Sequence, residues 1–237
     1  QGAMRDAAST DPTQRRLLRQ DLAKGPDWSW RREFLYKFPD DSDTRPGFRH
    51  ELASTLALFA LLQTYAPRHP ALLGPWAEVL LRLECRPIPE CSSGRPGPLI
   101  QSVLDCSAET FDLFVYLVAS HHGKVRVSLQ ATPKDQDYRD RDGRGLPICG
   151  VREGDILPPL PWGQDSPELP GVSLSLSPAS IGLSEHTGIS WRERCLSLLE
   201  RLGPTSLAFL ESILRAADVR ASQLETEDPS LAEEAES

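Results

Sequence analysis

The residue types best suited to chemistry are histidines. The chain has five of them, and two stand side by side in "YLVASHHGKVR", where His121 and His122 close an apolar run just before Gly123 and Lys124. Neighbouring residues of an α-helix point about 100° apart. Both rings therefore cannot lie on one core-facing stripe. At a helix end both can turn toward one pocket, each offering an imidazole nitrogen to a metal ion. Read alone, the pair better suits a polar helix C-terminus, where histidines meet the carbonyl end of the helix dipole. His50, in "FRHELAS", opens a second helix just before a strongly apolar face; read alone, it is a cap or a surface residue. Asp218, in "ILRAADVRAS", is one carboxylate in a stretch of apolar and small residues, and read alone it pairs with Arg215 or Arg220. Together, three histidines and an aspartate from three helices form an N/O ligand set suited to borderline divalent transition metals: Mn, Fe, Co, Ni or Zn.

The elements that must position these groups are mainly helical. Leu52, Leu56, Phe59 and Leu62 recur at helical spacing between Phe48 and Ala66, and Pro67 ends the run. A second helix is expected from about Gly74 to Cys85, and a third over 108–120, delivering the histidine pair at its C-terminal end. "SWRERCLSLLERLG" and "GPTSLAFLESILRAADVRAS" are helical, with Pro204 suited to a first turn. "TQRRLLRQDLAK", 13–24, has a short apolar stripe and reads as a helix, and the aromatic stretch after it as an ordered loop. Residues 127–190 form a long irregular insertion holding at most short strands, such as "VRVSLQA" and "GVSLSLS". The acidic tail 223–237 reads as disordered.

Composition bounds the partners. The 237 residues carry a net charge of −8, against a chain built mainly as a polycation, although local basic patches decide nucleic-acid binding. Five cysteines without a C-x-x-C pair fit neither a disulfide framework nor a zinc ribbon, which points to a reducing, cytoplasmic setting. No apolar run reaches the roughly 18 residues of a membrane span, so no membrane partner is expected. Lys124, Arg126, Lys134, Arg139, Arg141 and Arg144 follow the histidine pair and could grip phosphates. Asp135, Asp137, Asp140 and Asp142 interleave with them, as in a solvated loop. Trp28, Trp30 and Trp191 could stack bases but suit packing better, and His69 and His186 read as structural and surface residues.

"FRHE" on a helix, a helix ending "VASHHGK", and a last helix with "RAADVRAS" resemble the HD (His-Asp) phosphohydrolase superfamily. More closely they resemble the HD nuclease of the CRISPR-associated helicase-nuclease of type I systems, in its I-G (I-U) branch. "LAKG" and residues 190–222 also match, so the resemblance covers roughly residues 20–222. It implies an HD-like, mainly α domain over 1–222. It also implies metal ligation by His50, His121, His122 and Asp218, with one or two divalent ions activating water to cut single-stranded DNA. Lys124 is then the best candidate for a catalytic cation, and Lys124, Arg126, Arg139 and Arg141 for DNA contacts. The implied partners are single-stranded DNA, a CRISPR surveillance complex and a fused or associated helicase. The chain departs from the family in one respect: no His-Asp dipeptide occurs in it. The expectation is a fragment that begins just after that segment, or else a degenerate copy. Two other functions stay open: an HD phosphohydrolase of nucleotides, and a non-catalytic interaction module.

Overall fold

The computed structural model describes residues 48–82, 96–123, 125, 127–136, 140, 143–157, 159, 169–184 and 187–227, with the backbone alone for Leu81, Lys134 and 224–227. The expected helix over 13–24 and the aromatic stretch after it lie outside these residues. In chain order the helices are α1 (His50–Tyr65), α2 (Pro70–Leu73), α3 (Ala77–Arg82), α4 (Pro98–Leu104), α5 (Ala108–Ser120), α6 (Pro133–Gln136) and α7 (Trp191–Glu227). Two-residue strands form two antiparallel ribbons: β1 (Ile156–Leu157) with β2 (Val172–Ser173), and β3 (Leu183–Ser184) with β4 (Gly188–Ile189). The described structure is therefore mainly α.

Helix α1 forms because sixteen residues without Gly or Pro place Leu52, Leu56, Phe59 and Leu62 on one buried face. Pro67 stops it. The residue before a proline is pushed out of the helical region, and Ala66 accordingly has φ −145° and ψ 63° while its N–H still donates to the Leu62 carbonyl. The apolar face of α1 lies along α5, where Phe59 meets Phe111 edge to face at 5.4 Å between centroids. Burying each of these rings and leucines contributes about 1.5–3 kcal/mol. Helix α5 in turn packs on α7 and α2, and α4 and β2 flank α1.

Helix α7 starts at a serine cap. Ser190 Oγ accepts from the Glu193 N–H at 3.2 Å, and Ser190 and Glu193 have the S-x-x-E spacing. Trp191, Cys195 and Leu198 form its buried stripe, and Arg194 lies on the same stripe. Gly203 interrupts the helix with φ 76° and ψ 159°, and Pro204 begins the second segment as the sequence led us to expect.

Three expectations need adjusting. The described residues of "VRVSLQA" make no strand; instead Val125 and Leu129 insert into the core as single anchors. Helix α4, with Pro98 in its first turn, was not anticipated, because the Pro/Gly-rich stretch before it masks its short pattern. The last helix continues to Glu227, through the first residues of the segment expected to be disordered.

Gly188 shows how tightly the ribbon and helices meet. Its φ is +58°, and a Cβ there would lie 2.6 Å from the Leu72 carbonyl oxygen and 2.7 Å from Leu73 Cα. Gly188→Ala should therefore cost about 2–4 kcal/mol, read as a lowered midpoint in denaturant with an unchanged m-value.

Candidate metal centre

The helix that carries the histidine pair is fixed at both ends. Ser107 caps α5, its Oγ accepting from the Thr110 N–H at 3.1 Å. At the other end the His121 N–H still donates to the Leu117 carbonyl, and Gly123 then takes φ 69° as its N–H turns back to Ser120 O at 2.6 Å. A side chain at 123 would resist that left-handed step, which is why Gly follows the pair. The chain thus leaves the helix at once, and both rings come round to one side.

His50 meets them there. It is the first residue of α1, and its Nε2 lies 3.0 Å from His122 Nε2. The ring centroids of His121 and His122 are 4.0 Å apart, and those of His50 and His122 are 4.8 Å apart. One nitrogen from each of His50, His121 and His122 lies within 4.8 Å of the others, and all three residues are half-buried. This is a three-imidazole cluster drawn from two helices that are remote in sequence.

The hydrogen bonds select which nitrogens face inward. His121 Nδ1 lies 2.7 Å from the Val118 carbonyl. A carbonyl can only accept, so Nδ1 holds the proton and Nε2 of the neutral ring keeps its lone pair. His50 Nδ1 lies 3.7 Å from Glu51 Oε2, and Glu51 is almost fully buried, with Arg49 Nη1 3.3 Å from its Oε1. At that distance the carboxylate acts on the His50 ring through its charge.

The donor set fits a divalent transition ion. Two imidazole nitrogens bound to one ion at about 2.0–2.1 Å stand roughly 3.0–3.4 Å apart, depending on the geometry. The His50–His122 separation of 3.0 Å already meets this. Imidazole suits Zn, Cu, Fe and Ni in particular.

The other expected site residues fall differently. Asp218 lies half-buried on α7, beyond the Gly203 break, and its carbonyl accepts from Ser222 Oγ at 2.9 Å. Among the described residues it is not one of the donors lying within 4.8 Å of one another. Lys124, Arg126, Arg139 and Arg141 lie outside the described residues, as does His186. His69 is structural: its Nδ1 accepts from the Ala71 N–H at 3.1 Å and its Nε2 donates to the Leu104 carbonyl at 3.2 Å. Trp191 is buried and stacks on Tyr116 at 6.5 Å, so it packs and is not presented to a base. Burial pushes the Cys195 thiol up to about 12, with Asp112 adding to the shift and Arg194 opposing it, so the thiol stays protonated and is no nucleophile.

Two residues near the cluster escaped notice in the sequence. Glu51 carries no signal in the sequence beyond its place beside His50. Asp135 looked like one of several loop acids, yet it is 5% exposed. Comparison with family models, curated proteins and solved structures finds no match for the chain. Among the described residues, no helix is long and apolar enough to cross a membrane.

Proposed function

We propose that the chain is the helical body of a metal-dependent phosphohydrolase of the HD type, hydrolysing single-stranded DNA within a CRISPR-associated helicase-nuclease. The observation that carries this reading is the convergence of His50, His121 and His122 on one another from two separate helices. The resemblance carried by "FRHE", "VASHHGK" and "RAADVRAS" supplies the substrate and the partners. A divalent ion held by the three rings would lower the pKa of a bound water and polarise a phosphate oxygen. The chain's own part is to hold its donors ready. Val118 keeps the His121 proton on Nδ1, Glu51 backs His50, and Gly123 turns the chain out of the way. Lys124 and Arg126, next in sequence, would be the cations for the phosphate oxygens. Asp218 would join as an oxygen ligand from the last helix.

A second reading is a metal-binding module without catalysis. One observation favours it: among the described residues, Asp218 is not one of the mutually close donors.

The test is cleavage of a labelled single-stranded oligonucleotide by the chain loaded in turn with Mn, Co, Ni or Zn. Cutting that a chelator stops, and that is lost in the His121→Ala plus His122→Ala variant, supports the nuclease. Stoichiometric metal uptake without cutting, by this chain and by one extended upstream to include any His-Asp segment, supports the module instead. Cutting that survives the double substitution overturns the site.

A further inference from the structure

The first part of the irregular insertion, next after the histidine pair in sequence, is held to the core. Val125 and Leu129 anchor it in the core at 3% and 9% exposure, and it arrives at Thr132 and Asp135. There the Asp135 carboxylate is filled on every side. Oδ2 accepts from the Thr132 N–H at 2.6 Å, from Thr132 Oγ1 at 2.8 Å and from the Cys149 N–H at 2.9 Å. Oδ1 accepts from the Gly150 N–H at 2.7 Å. The two amides belong to a tight turn closed by the Ile148–Val151 bridge, in which Cys149 holds φ 50°. That turn reaches the other half of the site: the Cys149 carbonyl accepts from the Arg49 N–H at 3.0 Å, one residue before His50.

A covalent and hydrogen-bonded circuit therefore runs from His122 through Val125, Leu129 and Asp135 to the 148–151 turn, and on through Arg49 to His50. We infer that Asp135 is the positioning residue of the histidine cluster, holding the start of α1 in register with the exit of α5 so that His50 stays against His122. This rests on the metal-site reading for its consequence, and on the hydrogen bonds alone for its geometry. A carboxylate is required by count: four donors converge on two oxygens, and an amide in its place would aim an N–H at other N–H groups. The left-handed φ at Cys149, unfavourable for a residue with a Cβ, shows that the turn is held by its surroundings and does not fold so on local preference.

The experiment uses Asp135→Asn, with Thr132→Val as a milder second variant that removes one of the four donors. Gly188→Ala is the control, since its steric clash falls on Leu72 and Leu73 and on neither histidine-bearing element. Hydrogen exchange of the Arg49 amide is measured without metal, and Zn(II) affinity by titration at a temperature where every variant is folded. We expect the Arg49 amide to exchange at least about tenfold faster in Asp135→Asn, and Zn(II) to bind about 10–100-fold more weakly, as for loss of an outer-shell partner. Thr132→Val should shift both in the same direction, and Gly188→Ala neither. A purely structural role predicts that Gly188→Ala, at equal loss of stability, weakens Zn(II) as much. Zn(II) affinity unchanged in Asp135→Asn, or an unchanged Arg49 amide, overturns the inference. If the wild-type chain takes up no Zn(II), the metal reading falls, and the Arg49 amide still decides the positioning role.

Discussion

Replacing His122 by alanine should reduce the affinity for Zn(II) by at least a hundredfold, and His121→Ala plus His122→Ala should abolish measurable binding. The effect is large because the cluster has few donors to lose. His122 contributes the nitrogen that stands 3.0 Å from His50, and removing it leaves two imidazole donors of three. The folded state should survive. All three histidines are half-buried, none is among the core side chains, and the helix cap at Ser107 and the Gly123 exit do not depend on the rings. Titration calorimetry for the ion and circular dichroism for the fold separate the two. Loss of helix together with loss of binding would mean that the pair holds α5 to α1 and is no ligand set.

The second large effect belongs to the core. Arg194 is 1% exposed, and its guanidinium gathers four elements. Nη1 pairs with Asp112 Oδ1 on α5 at 2.5 Å, Nη2 donates to Leu72 O on α2 and Thr187 O before β4, Nε donates to Ile189 O, and the group lies 5.0 Å from the centre of the Phe59 ring. Arg194→Met should cost about 3 kcal/mol, because it takes the main partner from the half-buried Asp112 carboxylate and removes the donor to three carbonyls. Arg194→Met combined with Asp112→Leu should recover part of that loss, since the stranded charge goes too.

The dependence on pH has a definite sign. Burial pushes the Asp112 carboxyl above its ordinary 3.8, against the pull of Arg194 and Arg201. Without Arg194 it rises further. A carboxyl raised in the folded state gives stability that is present below the unfolded value and lost as pH rises through the folded one. The deficit of Arg194→Met should therefore be largest near neutrality and shrink as pH falls toward 3.8, seen in urea midpoints across that range. A deficit that grows in acid would show that Asp112 is not the group left exposed to the change.

These residues also show what the sequence carried and what it did not. Helices α1 and α5 were legible because their signals are local: apolar spacing ended by Pro67 in one, and a run from 108 to 120 closed by His-His-Gly in the other. The break at Gly203-Pro204 was legible for the same reason. The meeting of His50 with His121 and His122 was not present in any periodicity, because it depends on how α1 lies along α5; residue type and the resemblance suggested it. Arg194 was hidden by its charge, although it sits on the stripe Trp191, Cys195, Leu198, and a charged residue on such a stripe was the available signal. Asp135 was hidden by its neighbours. Among Asp137, Asp140 and Asp142 it looks like one more solvated acid, and only pairing with amides 14 and 15 residues away sets it apart.

The most direct measurement of the central claim is the coordination shell itself, by X-ray absorption at the zinc edge on the chain loaded with one equivalent of Zn(II). The expected result is uptake of one ion with three imidazole nitrogens at about 2.0–2.1 Å, falling to two in His50→Ala. A chain that takes up no zinc, or a shell without imidazole that His50→Ala leaves unchanged, would contradict it.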